Sequence, residues 1–537
     1  MATGTSNPRS APVDTDANAP STTSPKVGRP PDRWRYLWLG AGAVLSLFAV
    51  NGRWDIPLAA WLFSILLLRF SRTSRPAVGI GLVWLACVGA SMFFLWHVAV
   101  PLTGMTTLGG LAFGTVLALP YLADRLLAPR LGTAASLLLF PMALAACEFL
   151  LGVFGPFGTA YGLLADTQYA NPALSQSISL AGPYVIGFLI GSLATVMNYL
   201  WEHPLSWRTA RVPIAYAAVL GAVIVSGSAR LAFFPTPTTQ TVRIAGINPS
   251  RAALDAQMRA LGRPRFDPMA VPRFDPATVP VESAAVIDGL FDDTRRAARS
   301  GAKIIVWSEN AARISASEEP AFLAAAQNVA RQEQVYLDVA TNVYLPNPPY
   351  GRDETHLIAP DGTQLWTYQK SHPIPGLETY TPGNGQVPVV NTPYGRIANV
   401  ICYDADFPAM MHTDADIMLI PGGDWPQFGR LHTQMSSLRA IENGYSLLRQ
   451  DFNGWSAAYD YHGQPISTQD TTVDHGPWIV DVPTHGTTTL YRLTGDIFAW
   501  LCLAGTLALT AIGIIPRRRR PIIGARTPRT VPVPMAR

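Results

Sequence analysis

Three residues with reactive side chains follow separate apolar runs in the C-terminal half of the sequence. Cys402 ends the run RIANVIC, Glu309 follows KIIVWS, and Lys370 ends GTQLWTYQK. Short apolar runs favour buried strands, and residues at the ends of such strands can meet at one edge of a sheet. A thiol becomes a nucleophile when a neighbouring base or cation removes its proton or lowers its pKa. The pattern therefore predicts one converging site in which an acid and an amine activate a thiol.

Cys402 is the only cysteine of the sequence outside the long apolar runs. Cys87, Cys147 and Cys502 lie within those runs, where a thiol usually packs as a small hydrophobe. Taken singly, a strand-end acid or amine is more often solvated or structural, and a lone cysteine is more often inert. The nine histidines show no metal-ligand spacing, and no phosphate-binding or nucleic-acid motif occurs. We therefore expect no metal, no cofactor and no nucleic-acid partner.

The segment from about 235 to 496 is predicted to be an α/β domain. Its β-rich runs are 241–248, 303–307, 335–343, 396–402 and 416–420, and amphipathic helical stretches lie near 282–300, 318–334 and 429–444. This alternation indicates a largely buried sheet covered by helices. The octapeptide PRFDPMAV is followed at once by PRFDPATV, and we interpret this repeat at 264–279 as an inserted surface loop, with a flap over the site as the alternative.

Most of the remaining sequence is predicted to lie in a membrane. Charged residues make up only 14% of the 537 residues, and the mean hydropathy is +0.18. Apolar segments occur at about 36–50, 55–70, 77–102, 106–123, 131–155, 177–200, 212–234 and 497–515. Crossing a bilayer takes about 20 apolar residues, so the first two segments are short and the others are long enough. We expect about eight segments.

The basic residues indicate the orientation of these segments. Alternate loops hold clusters such as Arg69, Arg72 and Arg75, whereas the short loops on the other side hold only Arg53. Because basic residues remain on the cytoplasmic side, both termini should be cytoplasmic and the α/β domain external. The predicted division is a disordered tail (1–32), a seven-segment membrane domain (33–234), a catalytic domain (235–496), a final transmembrane helix (497–515) and a basic cytoplasmic tail (516–537).

The sequence around the reactive residues resembles the Glu-Lys-Cys triad of the nitrilase superfamily. The motifs are WSEN around Glu309, YQKSHPIPGLE around Lys370 and ICYD around Cys402, in the family's order. A membrane body with this domain between its seventh and eighth segments is similar to the apolipoprotein N-acyltransferase family of bacteria. The resemblance covers about 36–515. It implies a multi-pass α-helical membrane domain and an extramembrane α/β domain with the nitrilase-like αββα sandwich fold.

Further motifs add to the resemblance, and a few positions depart from it. Glu378, Tyr403, the run RAIENG at 439–444 and the run CEFLLGVFGPFG at 147–158 match the family pattern. Ser308 stands where the family usually has Pro, Asp404 stands where it usually has Glu, and the surroundings of Trp425 match only loosely. The resemblance implies supporting roles for Glu378, Tyr403 and Asp404. Glu378 would orient Lys370, with a solvated loop acid as the alternative.

The resemblance also implies a two-step acyl transfer. Glu309 would act as general base, Cys402 would take an acyl chain from a membrane phospholipid as a thioester, and Lys370 would help to stabilise the oxyanion. The N-terminal amine of a diacylated apolipoprotein would then accept the chain. These partners place the protein in the bacterial inner membrane with the catalytic domain on the periplasmic side.

Two other functions fit parts of the pattern. In a membrane-tethered carbon–nitrogen hydrolase, water would resolve the acyl-enzyme in place of an amine. In a transporter or scaffold, the nitrilase-like domain would be inactive, and Glu148 within an apolar segment would be the main polar group of a substrate path. Glu148 fits a structural role equally well, and Arg439 and Glu442, three residues apart on one helical face, are predicted to be structural.

Overall fold

The computed structural model describes residues 1, 32–49, 53–260 and 279–515. The predicted N-terminal tail, the tandem octapeptide and the basic C-terminal tail lie almost wholly outside the described residues. The domain division proposed from the sequence is not tested by the structure and stays a prediction.

The N-terminal half of the chain is helical. Its helices are α1 (Arg35–Ser46), α2 (Pro57–Thr73), α3 (Pro76–His97), α4 (Gly104–Leu127), α5 (Thr133–Phe154), α6 (Pro172–Ser175), α7 (Ile178–Ala181), α8 (Tyr184–Glu202) and α9 (Trp207–Phe233). Local sequence fixes several of their starts. Pro57 and Pro76 lie in the first turns of α2 and α3, where a missing amide hydrogen costs no helical bond. Thr103 and Thr106 form a reciprocal capping box at the start of α4.

The second half of the chain alternates strands and helices. The strands are β1 (Thr241–Ile247), β2 (Ile304–Trp307), β3 (Ala312–Ser315), β4 (Tyr336–Tyr344), β5 (Gly351–Ile358), β6 (Gln364–Gln369), β7 (Val389–Thr392), β8 (Gly395–Asn399), β9 (Ile417–Gly423), β10 (Ser446–Phe452), β11 (Trp455–Tyr459), β12 (Pro465–Asp470) and β13 (Trp478–Pro483). The helices are α10 (Arg251–Ala260), α11 (Val279–Arg299), α12 (Glu319–Glu333), α13 (Pro408–Met411), α14 (Gly429–Asn443), α15 (Leu490–Thr494) and α16 (Ile497–Ile514).

Six of the described helices are long and apolar enough to cross a membrane. They are α3, α4 with its short extension to Arg130, α5, α8, α9 and α16. The first two predicted segments form α1 and α2, which have 12 and 17 residues. At about 1.5 Å per residue both are shorter than a hydrocarbon core of about 30 Å, as expected for the first two segments, so the eight predicted segments comprise six helices of spanning length and a shorter pair.

The strands form two sheets that pack face to face. The first has the order β13-β1-β2-β4-β5-β6, with β3 also pairing with β4, and the second has the order β12-β11-β10-β9-β8-β7. Apolar residues of both sheets, including Ile244 and Val306 from the first and Met418 and Leu447 from the second, form one buried core. Helices α10–α12 cover the other face of the first sheet, and α14 contacts the second. The αββα sandwich that the resemblance implied is therefore confirmed.

Helix α14 also joins the two halves of the chain. Its residues Leu438 and Ile441 belong to the same buried cluster as residues of α2, α5 and α8. On this helix, Nη2 of Arg439 lies 2.9 Å from Oε1 of Glu442. Both side chains are buried, in agreement with the structural role predicted for them. The two-sheet sandwich thus packs directly against the helical half.

Candidate active site

Glu309, Lys370 and Cys402 lie together where the two sheets meet. Glu309 follows β2, Lys370 follows β6, and both strands belong to the first sheet. Cys402 comes from the second sheet, but strand β8 ends at Asn399, and Cys402 begins a short 3-10 helix that runs to Asp406. The predicted strand end at Cys402 is thus corrected by three residues. All three side chains are buried, with 5%, 0% and 1% of their surface exposed.

Lys370 is held by carboxylates on several sides. Its Nζ atom lies 2.6 Å from Glu309 Oε1, 2.8 Å from Glu378 Oε1 and 3.7 Å from Asp353 Oδ2. Burial lowers the pKa of this ammonium group, but Glu309 and Glu378 outweigh burial and raise the pKa well above its ordinary value. Lys370 is therefore a fixed positive charge in the site.

The second sheet holds Glu309 in place. The backbone amide of Glu309 donates to the carbonyl oxygen of Gly422 at 3.2 Å, at the end of β9. A Cβ atom added at Gly423 would lie only 2.8 Å from Glu309 Oε2, so the close approach of this carboxylate depends on glycine there.

Burial and the neighbouring Glu309 raise the pKa of the Cys402 thiol well above its ordinary value. The resting thiol is therefore protonated, with a carboxylate nearby to take the proton.

Cys402 has an unusual backbone conformation. Its φ angle is +47°, a left-handed value that costs a non-glycine residue energy and recurs at active sites. The guanidinium of Arg449, on β10, contacts both the backbone carbonyl and the sulfur of Cys402. Nη1 donates to the carbonyl oxygen of Cys402 at 3.3 Å, and Nη2 lies 3.5 Å from Sγ.

A buried network of charges extends behind Arg449. Nη2 of Arg449 lies 2.9 Å from Asp424 Oδ2, and His432 lies 2.9 Å from both Asp424 and Asp406. Burial and Arg449 lower the pKa of His432, but the two carboxylates raise it to about 9.

Cys402, Asp424 and His432 are close enough together to suggest a metal site, but the Arg449 guanidinium already bonds to Asp424 and contacts the other two. A cation of the protein itself therefore fills this position.

The predicted supporting residues have different surroundings. Glu378 contacts Lys370 and accepts a hydrogen bond from the amide of Ile374 through its other oxygen, at 2.8 Å. Asp404 accepts from the hydroxyl of Tyr368 at 2.6 Å and from the amide of His372 at 2.8 Å. Asp404 thus secures the segment that follows Lys370. The hydroxyl of Tyr403 donates to the carbonyl oxygen of Pro156, at the end of α5, at 3.3 Å.

An apolar cleft lies between this site and the helical half. Its lining includes Phe94, Phe157, Tyr161, Leu377, Tyr403 and Trp425. Trp425 closes one wall, because its indole Nε1 donates to the carbonyl oxygen of Val98 at the end of α3, at 2.5 Å. Asp424 and His432 also line the cleft, which brings it to the network beside Cys402. The cleft is therefore lined by residues of the helical half and by Tyr403, which follows Cys402 in the chain.

Sequence reasoning did not identify Arg449, Asp424 or His432 as site residues. One signal was available, because Arg449 directly follows Leu447 and Leu448 in the strand sequence SLLRQDF, and an arginine buried in such a strand requires a partner. The loose match around Trp425 contains Asp424, but nothing in the sequence indicates that it pairs with Arg449. Glu148, left open between two roles, accepts a hydrogen bond from the amide of Leu164 at 2.9 Å and so holds the turn that follows α5.

Two protein families match consecutive parts of this chain. The apolipoprotein N-acyltransferase N-terminal domain matches residues 40–196, and the carbon–nitrogen hydrolase family matches residues 277–481. The first match lies on the helical half and the second on the two-sheet sandwich.

Curated relatives match about two thirds of the chain. The chain is 24% identical over 396 residues to an apolipoprotein N-acyltransferase of Geobacter metallireducens, a match covering 66% of this chain and 70% of that protein. It is 24% identical over 388 residues to that of Bradyrhizobium diazoefficiens, covering 64% and 67%. Among solved structures, an amidase from Nesterenkonia sp. is 20% identical and covers 47% of this chain and 94% of its own, with a TM-score of 0.36. By the two domains and their order, the chain belongs to the apolipoprotein N-acyltransferase family of the nitrilase superfamily.

Proposed function

We propose that this protein transfers an acyl chain from a membrane phospholipid to the N-terminal amine of a diacylglyceryl-modified cysteine on apolipoproteins. The proposed intermediate is a thioester on Cys402. Family membership supports acyl transfer, and the residues around Cys402 supply a base and two cations for it.

The observation that carries the proposal is the apolar cleft beside Cys402. Its walls come from α3, α4 and the turn after α5 on one side and from the sandwich on the other. An acyl chain costs about 0.8 kcal/mol per CH₂ to remove from lipid into water. A cleft joined to membrane helices lets the chain stay in apolar surroundings, whereas a hydrolase of small polar amides has no need of it.

In the proposed first half-reaction, Glu309 takes the proton of the Cys402 thiol, and the thiolate attacks the ester carbonyl of the phospholipid. Lys370 lies beside Glu309 and stabilises the negative charge that develops on the carbonyl oxygen. The ester C–O bond then breaks, Glu309 returns its proton to the departing alkoxide, and a lysophospholipid leaves. Cys402 keeps the acyl chain as a thioester.

In the proposed second half-reaction, the neutral N-terminal amine of the apolipoprotein attacks the thioester carbonyl. Glu309 takes a proton from the nitrogen, the C–S bond breaks, and the proton passes to the departing thiolate. The products are an N-acylated lipoprotein and the free Cys402 thiol, so Glu309 serves both half-reactions. Glu378 also accepts a hydrogen bond from Lys370, and Asp404 and Tyr403 position the segments on which Lys370 and Cys402 lie.

The protein is a membrane protein, and its orientation is part of the proposal. We infer that it lies in the bacterial inner membrane with both termini cytoplasmic and the sandwich on the periplasmic side. Support comes from the distribution of basic residues, since Arg72 lies in the last turn of α2, Arg125 lies in the last turn of α4, and Arg75 and Arg130 lie in the links that follow these helices. The membrane domain at 33–234 and the catalytic domain at 235–496 are also part of the proposal.

The proposal can be tested with the purified full chain in phospholipid nanodiscs. Mass spectrometry should show one acyl mass on a peptide containing Cys402 after incubation with phospholipid alone. A synthetic diacylated lipopeptide should then remove that mass and gain it at its N-terminus. Cys402→Ala should remain in the membrane fraction and do neither.

The possible products separate the competing functions. Release of free fatty acid without transfer to the lipopeptide would support the hydrolase alternative and contradict acyl transfer. Absence of any acyl adduct in the parent protein, with intact folding, would contradict the thioester mechanism altogether.

A further inference from the structure

We propose that Arg449 is a second cationic catalytic residue, which holds the left-handed backbone of Cys402 and stabilises its thiolate. The inference rests on the proposed role of Cys402 as the nucleophile. It assigns to β10 a function beyond the Glu-Lys-Cys triad.

The first argument is the geometry of the contact. One guanidinium nitrogen reaches the carbonyl oxygen of Cys402 at 3.3 Å and another reaches its Sγ atom at 3.5 Å. The planar fork of an arginine can make these two contacts at once, while a lysine ammonium is a single point charge. Because Cys402 has a φ of +47°, a donor to its carbonyl oxygen helps to hold a backbone conformation that a cysteine otherwise avoids.

The second argument is the distribution of charge around the thiol. Glu309 from the loop after β2 and Asp424 from the end of β9 disfavour a thiolate, and Lys370 and Arg449 favour it. Both cations are paired with two acids, Lys370 with Glu309 and Glu378, and Arg449 with Asp424 and Asp451. Arg449 differs in that one of its nitrogen atoms lies 3.5 Å from Sγ, so it is the cation in direct contact with the sulfur when Glu309 takes the proton.

The third argument is that Arg449 is itself held firmly. Its side chain is fully buried and bonds to Asp424, which in turn bonds to His432, and His432 bonds to Asp406. Asp406 is the last residue of the 3-10 helix that Cys402 begins. The network therefore starts and ends on the same short segment, and it fixes the guanidinium relative to the thiol.

The test compares Arg449→Gln with the parent protein by the rate at which iodoacetamide alkylates Cys402, followed by peptide mass spectrometry across a range of pH. Loss of an opposite charge at this distance should raise the apparent thiol pKa by about 1 to 3 units. Alkylation below that pKa should then slow roughly tenfold or more. Arg439→Gln is the matched control, since Arg439 is an equally buried, ion-paired arginine of α14 that does not contact Cys402.

An unchanged alkylation profile in Arg449→Gln, or the same shift in Arg439→Gln, would overturn the proposal. If Arg449→Gln does not fold, Arg449→Lys keeps the positive charge and tests whether two separate nitrogen donors are needed. It should alkylate with a profile close to the parent's and yet form the acyl-enzyme from phospholipid about tenfold more slowly or worse. Acylation at the parent's rate in Arg449→Lys would also overturn the proposal. Alkylation requires no lipid, so it still measures the effect of Arg449 if the proposed acyl transfer itself fails.

Discussion

The carbonyl oxygen of Asp406 accepts two hydrogen bonds from Thr159. The backbone amide of Thr159 donates at 2.9 Å and its hydroxyl donates at 3.0 Å. Thr159 lies in the turn after α5, in the helical half, and Asp406 ends the 3-10 helix that Cys402 begins. The helical half therefore holds the segment that carries the proposed nucleophile through direct hydrogen bonds.

This contact predicts that Gly158→Ala impairs acylation of Cys402. Gly158 has a φ of +53°, and a Cβ atom there would lie 2.5 Å from the carbonyl oxygen of Asp406. The left-handed conformation alone costs an L-residue roughly 1 to 2 kcal/mol. Because the added methyl group would also overlap the carbonyl oxygen of Asp406, the turn must shift away from Asp406. Thr159→Val, which keeps the amide bond and loses the hydroxyl, should have a smaller effect of about 0.5 to 1.5 kcal/mol.

The measurement is the rate of acyl-enzyme formation by intact-mass spectrometry. Gly221→Ala is the control, because no heavy atom lies within 4 Å of the added methyl position on α9, and its rate should match the parent's. Normal acylation in Gly158→Ala would mean that the turn after α5 does not position Cys402.

The two acids that contact Lys370 should differ in their effects. Glu309→Gln removes the proposed base and should slow acylation of Cys402 by about 10² to 10⁴-fold. Glu378→Gln keeps a carbonyl oxygen that can accept from Lys370 or from the Ile374 amide, so more acylation should remain. Intact-mass spectrometry with phospholipid alone measures both. If Glu309→Gln acylates as fast as the parent, Glu309 is not the base.

The stability of the protein should depend on pH through His432. Asp424 and Asp406 raise the pKa of His432 from 6.5 to about 9. A raised pKa gives stability that is fully present below pH 6.5 and is lost as the pH rises through about 9. The shift corresponds to on the order of 3 kcal/mol. His432→Gln lacks this contribution, so its melting temperature should lie furthest below the parent's at low pH.

The melting temperatures of the parent and His432→Gln should therefore converge between about pH 6.5 and 9. Thermal unfolding of the purified proteins in detergent, followed by intrinsic fluorescence, gives both curves. His203→Gln is the control, since His203 is exposed at the end of α8 and its substitution should leave the pH dependence of the parent unchanged. A constant difference between the parent and His432→Gln at all pH values would contradict an imidazolium at this position.

The proposed orientation predicts opposite locations for two reporters. A reporter fused after Arg537 should be cytoplasmic. One inserted after Val473, which is 79% exposed in the turn between β12 and β13, should be periplasmic. Alkaline phosphatase and green fluorescent protein fusions distinguish the two sides, and a cytoplasmic signal from the Val473 insertion would reverse the proposed topology.

The sequence by itself indicated the long helices, five of the strands and the residues that could react. Hydropathy over about 20 residues identified the long membrane helices, and short apolar runs identified strands such as β1, β4 and β9. Both signals are local, because each depends on residues that are close together in the chain. Glu309, Lys370 and Cys402 were singled out in the same way, as reactive side chains that follow apolar runs.

The tertiary structure decided which of these residues touch and what surrounds them. Arg449 contacts Cys402 because β9 lies between β8 and β10 in the second sheet, with Leu419 opposite Asn399 and Ile420 opposite Arg449. Asp404, adjacent to Tyr403 in sequence, instead secures the segment after Lys370. Such contacts join residues that are tens to hundreds of positions apart. They depend on strand register and on the packing of the sandwich against the helices, which no local pattern of the sequence encodes.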